Sequence, residues 1–216
     1  MKPPLNQLNP TAVIWLFSWQ YFVCQIIVAA SWREPYSLAN NYISDLGNTV
    51  CGPYQLNYVC SPLHLLMNLS FVVQGIILIV GAILLARRHS ADIWLRWGLI
   101  GLGIGGIGSI FVGLFPENTL EYIHYTGAIL AFVAGNLGLI ILSKSQLSLT
   151  PALRCLSSAG GIIGLFALML IAAHQYIGLG IGGLERVVAY PQTLWVIAYA
   201  ISQLYRPQQI HKPKRR

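Results

Sequence analysis

The sequence predicts an all-α polytopic membrane protein, a bundle of six transmembrane helices. Three observations carry that prediction. Of 216 residues, 56% are apolar and only 9% charged, against the ~25% charged residues of a soluble domain. Mean hydropathy is +0.63. Six apolar stretches each approach the about 20 residues that a hydrocarbon core requires of a helix. This composition excludes a soluble enzyme, a disordered chain and a nucleic-acid binder. Four cysteines are too few for a disulfide scaffold.

The predicted spans cover 12–31, 63–86, 93–115, 122–143, 155–178 and 187–205 within a single transmembrane domain, 1–216. The first span loosely resembles a cleavable signal peptide. Its length and its Trp15, Trp19, Gln20 and Gln25 favour a retained helix. All connections are short except 32–62, read as a structured loop, and a basic tail follows at 206–216. Pro116 stops the third helix, because proline lacks the N–H that continuation needs.

Basic residues set the orientation. With the N-terminus in the cytoplasm, the inner side receives Lys2, Arg87, Arg88, Arg96, Lys144, Arg154, Arg206, Lys212, Lys214, Arg215 and Arg216. Arg33 and Arg186 are the basic residues left outside. That bias follows the positive-inside rule, and an even number of spans puts both termini in the cytoplasm. The net charge of +7 then reports topology, and the expected location is the cytoplasmic (inner) membrane.

Glycine patterning predicts tight packing. Gly98, Gly101, Gly105 and Gly108 line one face of the third helix, and Gly127, Ala131 and Gly135 repeat the device on the fourth. Small residues let membrane helices approach closely. The run 103–108 matches G-x-G-x-x-G literally, but it lacks the preceding strand that nucleotide binding requires. Asn68, Gln74 and Asn136 are intramembrane amides expected to bond between helices.

The unusual chemistry collects at the outer rim. It comprises Tyr36-Ser37, Asn41 and Ile43-Ser44-Asp45-Leu46-Gly47 in the first loop, Ser61 and His64 before and in the second helix, Glu117 after the third, His124 early in the fourth, and Glu185-Arg186 near the sixth. The run Tyr36-Ser37-x3-Asn41-x-Ile43-Ser44-Asp45-Leu46-Gly47 resembles the signature of domain-of-unknown-function family 998, a prokaryotic group of multi-span membrane proteins. Phe115-Pro116-Glu117, His124 with Ala128 and Phe132, and Gly183-Leu184-Glu185-Arg186 are similar in kind and order. The resemblance implies the multi-span fold and carries over no catalytic residue. Cys51 and Cys60 depart from the family pattern.

From the residues themselves, the expected catalytic set is His124 as acid/base, Asp45 as its partner and Ser44 as a nucleophile. Ser37 and Ser61 are the other hydroxyls available for that last role. Arg186 would anchor an anion, with Glu185, Tyr36, Ser37, Asn41 and Glu117 completing the substrate site. A plainer role for Asp45 is to brace the loop, and for Glu185 to neutralise Arg186. No cofactor is expected. His64, His124 and His174 are the candidates for a zinc or haem ligand set, and they lack the H-x3-H spacing that marks zinc sites. Cys51 and Cys60 should form a disulfide across the Gly52-Pro53 turn in an oxidising compartment, leaving Cys24 and Cys155 as thiols. The expected partners are membrane lipids, with no nucleic acid. The expected function is hydrolysis or group transfer on a lipid-like substrate. The alternative is a transporter, a lipid-binding module or an accessory subunit.

Overall fold

The computed structural model describes residues 9–55, 57–89 and 91–204. Among them, six long helices form a ring: α1 (Pro10–Ala30), α2 (His64–Arg88), α3 (Ile93–Leu114), α4 (Glu121–Leu142), α5 (Pro151–Ala172) and α6 (Gly180–Leu204). Each packs on the next, and α6 returns to α1. The first five are long and apolar enough to cross a membrane. Exposed Ile26, Leu65, Phe166 and Met169 on three of them would be untenable in water and suit lipid. This is a multi-pass membrane protein. The sixth helix is long enough but more polar, and its Glu185, Arg186, Gln192 and Thr193 are buried against the bundle.

Local chemistry sets the helix ends. Asp92 caps α3 by accepting from the N–H groups of Trp94 and Leu95, and Thr150 with Pro151 starts α5, a typical first-turn pairing. The first span is broken at Phe17–Ser18. The fifth departs most from expectation: it runs 151–172, not 155–178. Residues 173–178, which include the polar pair His174-Gln175, form a turn with left-handed backbone at His174, Ile177 and Gly178, which ends the helix. The sixth helix begins seven residues earlier than the predicted 187, at Gly180. The predicted basic tail, 206–216, and Lys2 lie outside the described residues.

Glycine contacts join α2, α3 and α4. A methyl group on Gly101 would come within 2.7 Å of the Gly138 Cα, and one on Gly106 within 2.7 Å of the Gly75 carbonyl oxygen. The α3 glycines therefore serve two faces, because this helix is clamped between neighbours. At one end of the bundle, Trp15 packs edge-on to Trp195 and Tyr199. The opposite end carries the long loop after α1. That loop contains one turn of 3-10 helix (Ser44–Gly47) and a hairpin of β1 (Gly52–Tyr54) and β2 (Asn57–Val59), paired from Gly52 with Val59 to Tyr54 with Asn57. Cys51 and Cys60 sit one register step beyond the ladder and are joined by a disulfide; Cys24 and Cys155 are free.

Candidate functional site

The loop is drawn down onto the helix ends by polar side chains. Ser61 Oγ donates to the Leu46 carbonyl (2.6 Å), and Asn68 Nδ2 donates to the Gly47 carbonyl (2.9 Å). The backbone N–H of Gly182 donates to Ala39 O at 2.8 Å. Arg186 does the most. Its Nη1 donates to Leu38 O (3.0 Å), Asn41 O (3.0 Å) and Gly182 O (2.8 Å), and its Nη2 donates to the Tyr36 hydroxyl. Tyr36 in turn donates to Tyr42 O at 2.6 Å. Burial pushes the Tyr36 phenol well above its ordinary range despite the Arg186 cation, so it stays neutral and donates. Arg186 thus holds backbone carbonyls rather than forming the ion pair with Glu185 considered from sequence.

Glu185 turns the other way. It accepts from the Ile43 backbone N–H, and Ser44 Oγ lies 3.5 Å from its Oε1. Its carboxylate therefore sits at the start of the Ser-Asp-Leu-Gly turn. Asp45 folds back on its own loop, accepting from Asn41 Nδ2 (3.1 Å) and the Tyr42 N–H (2.9 Å). It makes no bond to His124, the partner expected from sequence. A short acidic side chain reaches nearby backbone donors first, which is the bracing role. Asn41 also accepts from the Ser37 N–H, and Ser37 Oγ accepts from Asn40 N; both residues organise the loop.

Buried Glu117 lies beside Asp45 and accepts from Asn48 Nδ2 at 3.5 Å. Burial, and then the neighbouring Asp45 carboxylate, hold the Glu117 carboxyl well above the usual range. Two acids in one dry space cannot both ionise freely.

His124 is buried early in α4, with Nδ1 2.9 Å from Phe115 O. A carbonyl only accepts, so Nδ1 carries the proton and Nε2 keeps a lone pair in the neutral ring. The other histidines go elsewhere: His64 to Ser61 O and His174 to the Tyr176 hydroxyl. Among the described residues, no group of three or more His, Cys, Asp or Glu side chains is placed to hold a metal ion.

Ser44, His124 and Glu185 wall one chamber, reached from three distant parts of the chain. Its free space is about 60 Å³, room for several waters at the ~10–15 Å³ each requires. Tyr21, Phe71, Leu78 and Val112 give it apolar walls, while Gln74, Ser109, Gln192 and Thr193 supply polar groups at membrane depth. One wall is a wider π turn, Leu130–Ala134, whose Ala131 carbonyl accepts from Gln192 Nε2 at 2.9 Å. Such turns recur at functional sites. Reading from sequence missed Gln192 and Thr193, although two polar residues inside a span are a signal in themselves.

A family model described as "Protein of unknown function (DUF998)" matches residues 18–202. No curated protein and no solved structure matches the chain.

Proposed function

The chain belongs to the DUF998 family, and we propose that it hydrolyses or transfers a group on a lipid-like substrate at the outer face of the cytoplasmic membrane. The observation that carries the reading is the chamber. A hydroxyl (Ser44), an imidazole with a free lone pair (His124) and a carboxylate (Glu185) surround one small cavity with otherwise largely apolar walls. In this reading, Ser44 is the nucleophile and His124 Nε2 its general base. Glu185 orients the Ser44 turn, and the Phe115 carbonyl, rather than Asp45, orients His124. Desolvation by the apolar walls strengthens each of these interactions. An amphiphile would reach the chamber sideways from the leaflet. Facing of the loop toward the outside rests on the distribution of basic residues; a reporter fused within 32–62 should read as external.

The test is incubation of the purified protein with a total lipid extract, followed by mass spectrometry of the lipids. The wild type should deplete one lipid class and accumulate its product, while Ser44→Ala and His124→Gln, at equal folded yield, should not. Unchanged lipids in all three samples would overturn the enzymatic reading. A second, non-catalytic reading takes the chamber as a hydrated void in a packed accessory subunit: its free space of about 60 Å³ holds a few waters, and that reading predicts no product in the same experiment.

A further inference from the structure

Among the buried donors that lack an acceptor, two line one groove. Gln25 is 7% exposed and its Nε2 makes no hydrogen bond; Arg186 is 8% exposed and its Nε makes none. They meet in a groove of about 480 Å³ beside Phe22, Ile26, Leu38 and Tyr190. The groove shares no lining residue with the chamber. Along α6, Glu185 and Gln192 line the chamber, whereas Arg186 and Tyr190 line the groove.

Tyr190 connects the two donors. Its hydroxyl donates to Gln25 Oε1 at 2.8 Å and lies beside the Arg186 guanidinium. Gln25 Oε1 is therefore satisfied, and the amide's NH₂ is the end left over. The four hydrogen-bond acceptors of Arg186 are three backbone carbonyls and a phenol. None is a carboxylate: the adjacent Glu185 acts on the guanidinium only at a distance, its carboxylate being bonded to the Ile43 N–H instead.

These features specify a ligand. It must offer oxygen acceptors to two neighbouring donors, because a buried donor left unpaired is costly. It should carry negative charge, because intramembrane cations persist when paired. It must also have an apolar body, because exposed Ile26 and Leu38 border the groove where lipid would lie. A phosphodiester meets the first two demands, and charge-assisted bonds to it are the strong kind. Basic pockets between membrane helices take anionic headgroups in this way. We infer that the groove binds one anionic phospholipid, with its phosphodiester oxygens on Gln25 Nε2 and Arg186 Nε and an acyl chain along Phe22 and Ile26. The inference is independent of any turnover in the chamber.

Native mass spectrometry of the full chain, delipidated in detergent, provides the test. Titration with phosphatidylglycerol should show one retained lipid per chain, bound about tenfold more tightly than phosphatidylcholine. Gln25→Leu should weaken phosphatidylglycerol binding about tenfold, the worth of one charge-assisted bond. Gln25→Glu preserves the acceptor for Tyr190 and should abolish the preference by repulsion. Equal retention of the two lipids, or unchanged affinity in both variants, would overturn the inference. Displacement by millimolar inorganic phosphate would also overturn it, assigning the groove to a free anion.

Discussion

Replacing Arg186 with leucine removes the cation that ties the first loop to α6. The lost bonds run to Leu38 O, Asn41 O, Gly182 O and the Tyr36 hydroxyl. The Gly182 carbonyl is four residues back on the same helix, so two carbonyls and one phenol of the loop itself lose their anchor. Each stranded group costs about 1–3 kcal/mol. Water can reach a loop at the membrane edge, so the low end applies, or about 3 kcal/mol in all. That cost falls on local opening of the segment rather than on the whole bundle. At 1.36 kcal/mol per decade, hydrogen-exchange protection across 36–48 should fall about a hundredfold. Protection inside α3 and α4 should be unchanged. Arg186→Lys, which keeps the charge but not the fork of donors, should fall in between. Loss of less than about tenfold in the leucine variant would refute the assignment of Arg186 as the loop's anchor.

Three further outcomes follow from the same geometry. Glu117 has its folded-state pKa raised above the ordinary 4.5 by burial and by Asp45, so ionising it works against the folded state. Thermal stability should therefore decline as pH rises above about 4.5 toward the folded pKa, and Glu117→Gln should flatten that decline; an unchanged pH profile would contradict it. The Cys51–Cys60 bridge closes a loop with a separation of nine, worth about 2.6 kcal/mol on a chain-entropy basis. Reduction, or Cys51→Ser with Cys60→Ser, should lower hairpin protection accordingly, and no change on reduction would refute it. Gly101→Leu must push α3 from α4, since even a Cβ meets the Ala134 carbonyl oxygen at 2.8 Å. It should cost at least about 1–3 kcal/mol in thermal unfolding, whereas Gly103→Leu, with open space beside it, should cost little.

The bundle was legible in the sequence because lipid imposes one simple demand on every span, and hydropathy reports it directly. The α3–α4 contact was legible too, since close approach has a compositional mark in Gly98, Gly101, Gly105 and Gly108. The end of α5 was not. Its His174-Gln175 pair is a polar interruption that the flanking apolar residues outweigh in a hydropathy reading, while left-handed backbone at His174, Ile177 and Gly178 makes the turn. At the rim, the sequence supplied the groups but not their pairing. Chemical type pairs Asp45 with His124, yet its donors are Asn41 and Tyr42, four and three residues back. The sequence suggests a carboxylate partner for Arg186, while its partners are the Tyr36 hydroxyl and backbone carbonyls, which any residue type can present. Gln25 and Tyr190 meet from residues 165 apart, a distance no local pattern spans.

Covalent trapping tests the proposed chemistry most directly. An acyl-chain fluorophosphonate should react with a serine hydroxyl that a general base activates. If Ser44 and His124 work together across the chamber, the intact protein gains one adduct. Peptide mapping should place it on Ser44, and labelling should fall at least about a hundredfold in His124→Gln, the usual scale of general-base assistance. An adduct on another residue, no adduct in folded wild-type protein, or labelling of Ser44 undiminished by His124→Gln would contradict the account.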